Sequence, residues 1–345
     1  MKIVHFIWAF PIGGAETMLV EIMNVQCVEN NVVLVVINNL VNKELLMQVD
    51  KRVKIIIINR PVGSKNIWYY LKIWFALKIE QADIIHCHND SLSIFNKYVS
   101  GNFVLTIHSV DFNTKHLNRY TKVFAISKIV KENIEKRTDI VPILVYNGVN
   151  TTLINSTFRG VNDNFRIIQI SRLKHKHKGQ NILINAISLL SKNKNIKGVT
   201  VDFVGGGSSK DYLQELISQH RIDKYFNFLG ERNRGFIYKN LCTYNLLIQP
   251  SIFEGFGLTI VEAMSAKVPV LVSNIDGPIE IIQKGKFGSS FKSGDAKDCA
   301  KKIIEIIQNY EHYNKAERLE EIRQYAISNF DIQKTAKEYI NEYQG

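Results

Sequence analysis

Short apolar runs alternate with stretches of helical periodicity along the whole chain. In the first half, residues 3–8, 32–37, 53–58, 84–87, 103–107, 123–125 and 143–145 read as strands rich in Ile, Val and Phe. The pattern resumes at 166–170, 200–204, 227–228, 246–249 and 270–273. Strands this continuously apolar, separated by helices, predict parallel sheets covered on both faces. The chain of 345 residues exceeds one ordinary domain, and a polar stretch at 150–164, rich in Asn, Thr, Ser and Gly, falls between the two sets. Two doubly wound domains of α/β class are therefore expected. Ligands of such folds sit outside the carboxyl ends of the strands, so two domains facing each other would place a site in the cleft between them. Residues 331–343 repeat apolar and aromatic side chains at helical spacing and predict a last helix.

The most informative stretch is SIFEGFGLTIVEAMSAKVPVLVS, residues 251–273. Glu254, Gly255, Phe256 and Gly257 form a turn, 258–266 reads as a short helix, and Val268-Pro269 closes it. A helix start leaves several N–H groups unpaired and carries partial positive charge, so the amides near Gly257, Leu258 and Thr259 form a natural anion seat. Glu254 and Glu262 flank that seat. A carboxylate repels phosphate but accepts hydrogen bonds from hydroxyls, which suggests a ligand hydroxylated on both sides of a phosphate, such as a nucleotide-sugar. The plain alternative makes Glu254 a turn residue and Glu262 a solvated helix position. In QISRLKHKHKGQ, residues 169–180, Arg172 and Lys178 fall between a strand and a helix. Cations at a helix start oppose its dipole by up to about 1 kcal/mol, so a bound anion is the economical explanation. Lys174, His175, Lys176 and His177 also read as a solvated basic loop. Gly13-Gly14 after the first strand, and Gly205-Gly206-Gly207 after a later one, allow close backbone approach or simply a tight turn; neither matches G-x-G-x-x-G.

Composition is that of a globular protein, with a formal net charge of +12. The excess is spread through both halves, which suits anionic small ligands or an acidic membrane surface, and no nucleic-acid motif is present. Cys27, Cys87, Cys242 and Cys299 lack metal-ligand spacing and read as reduced core thiols of a cytoplasmic protein. Residues 3–12 fit strand, loop and helix better than a signal peptide, because His5 interrupts the run. No uncharged apolar run approaches the roughly 20 residues needed to span a bilayer. Residues 65–79, KNIWYYLKIWFALKI, mix Trp68, Tyr69, Tyr70, Trp74 and Phe75 with Lys65, Lys72 and Lys78. That composition suits either an interfacial helix or packing on the first sheet.

With these residues in view, the chain resembles the retaining glycosyltransferases of the GT-B fold, the large family that includes bacterial phosphatidylinositol mannosyltransferases and sucrose synthases. The E-x7-E signature falls on Glu254 and Glu262, the Arg and Lys pair on Arg172 and Lys178, and the glycine loop on Gly13-Gly14-Ala15-Glu16. DIIHCHN at 83–89, TIHS at 106–109, AIS at 125–127 and NGV at 147–149 also resemble family landmarks. The resemblance implies an acceptor-binding domain over 1–155, a donor-binding domain over 156–325 and a last helix, 326–345, returning to the first domain. It implies that Arg172 and Lys178 hold the diphosphate, Glu254 the donor-sugar hydroxyls and Glu262 the ribose. It places the amides of Phe256, Gly257 and Leu258 along sugar and phosphate, Gly14 and Gly205 beside the donor, and His108 at the donor sugar.

His86 and His88 are expected to be strand-end packing or acceptor-side residues. The implied partners are a nucleotide-sugar, with UDP-sugars as the default, and a glycan or lipid-linked oligosaccharide. The implied pathway is capsule, O-antigen or other surface polysaccharide assembly at the inner face of the cytoplasmic membrane. No cofactor is expected, and the absence of Asp-x-Asp agrees with chemistry that needs no metal. Two alternatives stay open: a non-hydrolysing nucleotide-sugar epimerase, which would act without an acceptor, and a non-catalytic sugar-nucleotide-binding partner of another transferase.

Overall fold

A computed structural model describes residues 1–157, 164–192 and 198–345. Part of the polar stretch at 150–164 thus lies outside the described residues. The chain divides into two compact units, Met1–Val149 with Phe330–Gly345, and Asn150–Asn329.

The first unit is built on seven parallel strands: β1 Lys2–Ile7, β2 Asn31–Asn38, β3 Lys54–Arg60, β4 Ile84–Cys87, β5 Asn102–Ile107, β6 Lys122–Ala125 and β7 Ile143–Leu144. Their order is β3-β2-β1-β4-β5-β6-β7. β2 shows why the strands form: in NVVLVVIN seven consecutive residues are buried, so both faces of a β-branched run find apolar cover. Leu34 and Val36 of β2 pack with Leu19, Val20 and Met23 of the helix Gly14–Gln26.

The last helix, Ile332–Gln344, belongs to this unit. Its start is pinned to the backbone at Val149, which exchanges hydrogen bonds with Phe330 and Ile332 at 2.9 Å each. A Cβ on Gly148 would lie 2.9 Å from the Ile332 Cα, so only glycine permits this approach. Tyr339 and Tyr343 are buried farther along the helix.

The second unit carries six parallel strands: β8 Phe165–Ile170, β9 Val199–Val204, β10 Phe226–Gly230, β11 Leu246–Gln249, β12 Val270–Ser273 and β13 Ser289–Phe291. Their order is β10-β9-β8-β11-β12-β13. β13 was not anticipated, because only three residues, Ser-Ser-Phe, carry it and no apolar run marks it. Both sheets reverse direction at one place, between β1 and β4 in the first and between β8 and β11 in the second. Those two switch points are where neighbouring loops part and leave room for a ligand.

Candidate functional site

In the second unit the loop after β8 carries Ser171, Arg172, Leu173 and Lys174 into a single helical turn, His175–Lys178, which Gly179 closes at φ 66°. The loop after β9 lies directly on it. Leu173 N–H donates to the Gly206 carbonyl at 2.8 Å, and a Cβ on Gly205 would come within 2.0 Å of the Ser171 carbonyl oxygen. Gly205 and Gly207 therefore serve backbone-to-backbone packing, on Ser171 and Leu173, and Gly205, expected beside the donor, presses on Ser171. Arg172 stands exposed at the strand end.

Lys178 is held from the other side. The His177 carbonyl accepts from the Ile252 and Phe253 amides at 2.9 and 3.1 Å, and a Cβ on Gly179 would sit 1.8 Å from the Pro250 carbonyl oxygen. This stitching of two loops brings Lys178 Nζ to 2.7 Å from Glu254 Oε2, with the two side chains 23% and 16% exposed. Buried Gln249, at the end of β11, donates from Nε2 to the same carboxylate oxygen at 3.2 Å and to Ser251 Oγ at 3.0 Å. Gln249 was not anticipated; its signal was a polar residue ending an apolar strand, LLIQ.

Gly257 adopts φ 111° and opens the helix Leu258–Ser265, which has no side-chain cap. Phe256, in the turn that carries Glu254, is buried. Glu262 is not a solvated helix position: its side chain is 3% exposed and lies 3.4 Å from Arg234 Nε. Burying a carboxylate requires a partner, and Arg234 is one that sequence reasoning missed. It opens the helix Arg234–Asn240, capped by Asn233, whose Oδ1 accepts from Phe236 N–H at 2.9 Å.

In the first unit, Gly13 is the N-cap of the helix Gly14–Gln26; Gly14 is exposed and Glu16 lies in the first turn. A cavity of about 260 Å³ opens at the switch point, lined by Trp8, Glu16, Leu19, His88, Asn89 and His108 among others. Trp8 is fixed there by Nε1 donating to Ser91 Oγ at 2.8 Å and by its own amide donating to Asn89 Oδ1 at 3.0 Å.

Four histidines gather at this cavity: His88 and His108 line it, and His5 and His86 are buried beside them. His5 and His86 face each other in register across β1 and β4, and His88 and His108 follow the ends of β4 and β5. Burial pushes His5 and His108 down to about 4 and holds His86 and His88 well below the ordinary value, so all four are neutral near pH 7. Ring nitrogens of His5, His86 and His88 approach within 4.8 Å of one another, a spacing that a metal ion could bridge. All six are already engaged. His5 pairs with Gln26 and His88, His88 also with His108, and His86 with Tyr343 and Thr106. As built, the cluster is a hydrogen-bonded network of neutral rings.

The expected site residues thus fall into two groups. Arg172, Lys178, Gly205, Glu254, Phe256, Gly257, Leu258 and Glu262 lie in the second unit; Gly14 and His108 lie in the first.

Comparison with known proteins follows the same division. Residues 12–153 match the family model "Glycosyltransferase Family 4", and residues 155–326 match "Glycosyl transferases group 1". An uncharacterized glycosyltransferase of Methanocaldococcus jannaschii is 28% identical over 248 residues; the match covers 60% of this chain and 61% of that protein. Among solved structures, Anabaena HepE in complex with UDP and glucose superposes with a TM-score of 0.84 at 21% identity, covering 100% of both chains. The lipopolysaccharide outer core galactosyltransferase WaaB superposes at 0.75 with 19% identity, over 100% of this chain and 99% of that one. At such identities the likeness establishes the fold.

Proposed function

The chain is a glycosyltransferase of the group 1, family 4-like kind with the GT-B fold, and we propose that it moves a sugar, with retention, from a UDP-sugar to a hydroxyl of a glycan or lipid-linked glycan in surface polysaccharide assembly. The observation that carries the donor half of this reading is the Lys178–Glu254 pair beside the start of the helix Leu258–Ser265. An ammonium has three N–H donors and gives one to Glu254, which leaves two for phosphate oxygens. Glu254, acceptor only, is suited to sugar hydroxyls, and Glu262 to the ribose. Structural neighbours solved with UDP and glucose, and one named as a lipopolysaccharide galactosyltransferase, support the choice of donor and pathway.

In the reaction the bond from the anomeric carbon to the β-phosphate oxygen breaks, and negative charge grows on that phosphate. Arg172, Lys178 and the helix start are preorganised to stabilise it, so no metal is required in this reading. The acceptor hydroxyl attacks from the face the phosphate leaves, and the departing phosphate oxygen takes the hydroxyl proton. The test is a thermal-shift and donor-hydrolysis screen against UDP-, GDP- and ADP-sugars, with and without EDTA. Stabilisation by one UDP-sugar, with slow EDTA-insensitive UDP release, is expected. No stabilisation by any nucleotide or nucleotide-sugar would overturn the diphosphate site.

The acceptor side is proposed to meet an anionic membrane surface through the helix Ile67–Glu80. Ile73 and Leu77 face inward and are buried, whereas Trp68, Leu71, Phe75 and Ile79 are 67%, 46%, 58% and 56% exposed at helical spacing. Lys65, Lys72 and Lys78 are exposed in the same stretch and would favour acidic headgroups. Trp74 does not share that face: its Nε1 donates to the Tyr98 carbonyl at 3.0 Å. Among the described residues no helix is long and apolar enough to cross a membrane. A Trp68→Ala, Phe75→Ala double variant should lose most flotation with anionic vesicles while keeping donor binding. Unchanged flotation would reject this helix as the contact.

A further inference from the structure

Arg60, the last residue of β3, is a buried cation with which no carboxylate pairs among the described residues. It is 8% exposed. Its Nη1 donates to Asn38 Oδ1 at 2.9 Å and its Nη2 to the Ser64 carbonyl, both neutral oxygens, and its Nε is buried without a partner. Burying a charge without a counter-charge is costly, so compensation has to come from elsewhere. Two aromatic rings supply it: the guanidinium carbon lies 5.4 Å from the Trp8 ring centroid and 5.9 Å from that of Tyr70. The attraction between a guanidinium and a π face grows as water is excluded.

The backbone is bent to put Arg60 there. β3 carries one extra residue between Ile57 and Arg60 against Val36 to Asn38 of β2, and Asn59 within that bulge takes φ 59°. Left-handed backbone at a residue other than glycine is strained, and a bulge of this kind re-aims a side chain, here setting Arg60 opposite Asn38.

Trp8 is thereby held along its edge and over its face. Its amide and Nε1 are tied to Asn89 and Ser91, and Arg60 lies over the ring. The same residue lines the cavity of about 260 Å³, whose lining residues all belong to the first unit. That volume falls just below the roughly 300–1,000 Å³ of ordinary ligand pockets, which leaves room for one sugar ring. A pyranose has an apolar C–H face suited to an indole. Its hydroxyls suit the Glu16 carboxylate and the Asn89 amide nitrogen on the same lining.

We propose that Arg60 is a positioning residue for the acceptor: it holds the Trp8 indole from one face, and the opposite face is the platform on which the acceptor's sugar ring stacks. This rests on the reading of the chain as a transferase to a glycan. Arg60 acts through Trp8 without touching the acceptor. Because Tyr70 belongs to the helix Ile67–Glu80, the same guanidinium also ties the platform to that helix.

The test uses the full chain with Trp68→Phe and Trp74→Phe, which leaves Trp8 as the sole tryptophan. Its emission is read without donor, alone and in titrations with the methyl pyranosides of glucose, galactose and N-acetylglucosamine, with glycerol as an acyclic control. One or more pyranosides should change the emission saturably, and glycerol should not. Arg60→Met should red-shift the free emission, raise acrylamide quenching about twofold and raise the Kd of that pyranoside about tenfold. The thermal shift given by UDP should stay as in the parent, because the proposed nucleotide site lies in the second unit, whereas general damage to the fold would move both. Arg60→Lys keeps the charge without the planar fork and should fall between parent and Arg60→Met.

Equal emission and quenching in the parent and Arg60→Met would overturn the positioning role, as would an unchanged pyranoside Kd. A Trp8 that answers no pyranoside would overturn the platform. If Arg60→Met does not fold, Arg60→Lys decides, and unchanged quenching and Kd in that variant would sink the proposal. Failure of the transferase reading looks different. A protein that binds a pyranoside at Trp8 but neither binds nor hydrolyses any sugar nucleotide refutes that reading and leaves the platform standing; one that hydrolyses a UDP-sugar while Trp8 stays silent does the reverse.

Discussion

Lys178→Ala isolates the donor chemistry from the fold. In the folded protein the Lys178–Glu254 pair is 2.7 Å long, but its side chains remain 23% and 16% exposed. Solvent screening limits its share of fold stability to about 1 kcal/mol or less. Glu254 also keeps the Gln249 Nε2 donor at 3.2 Å after the substitution, so its carboxylate is not stranded. The effect on turnover should be much larger. Removing one preorganised donor to developing negative charge costs about 2.7–4 kcal/mol, or roughly a hundred- to a thousandfold in kcat. Ground-state binding of the diphosphate should lose about 1.5–3 kcal/mol, which raises donor KM by roughly ten- to a hundredfold.

Thermal unfolding and coupled UDP release on the same preparations separate the two effects. Lys178→Arg should recover part of the binding but less of kcat, because a planar fork cannot occupy the position of a point ammonium. A Lys178→Ala variant with kcat within about threefold of wild type would remove this residue from charge stabilisation and refute the reasoning.

Two further expectations concern the fold that carries the sites. His5 and His108 are held near 4 against an ordinary 6.5, so between those values the unfolded chain binds protons that the folded chain refuses. Stability should be complete above about pH 6.5 and fall as pH drops toward 4, by up to about 3 kcal/mol per histidine; urea unfolding that is flat from pH 7.5 to 5 would contradict this. Gly179→Ala should lower stability by well over 1 kcal/mol and displace Lys178, because its Cβ would meet the Pro250 carbonyl at 1.8 Å as well as strain a φ of 66°. Gly230→Ala, at φ 71° with nothing within 4 Å, should cost only the left-handed backbone penalty of about 1–2 kcal/mol, and equal urea midpoints for the two variants would show that the Gly179 contact is unimportant.

The sequence by itself determined the two parallel sheets, because a strand buried on both faces must be written as an unbroken apolar run, as in β2 and β11. It also singled out Arg172 and Lys178 as candidates, because cations at a helix start oppose its dipole, and Glu254 and Glu262, because carboxylates flanking an anion seat accept from hydroxyls. It could not show β13, whose three residues carry no periodic signal and are ordered by pairing with β12. Nor could it separate Trp68 from Trp74 in one aromatic helix, since exposure depends on what lies opposite each face. The partners that tune the sites were equally hidden. Gln249 reaches Glu254 only because the turn after β11 folds back on the strand end, and Arg234 on Glu262 and Gln26 on His5 are distant in sequence from the groups they contact. Hydrophobic periodicity is local and is read one element at a time, whereas a hydrogen bond between buried polar side chains depends on which strand ends the topology makes neighbours.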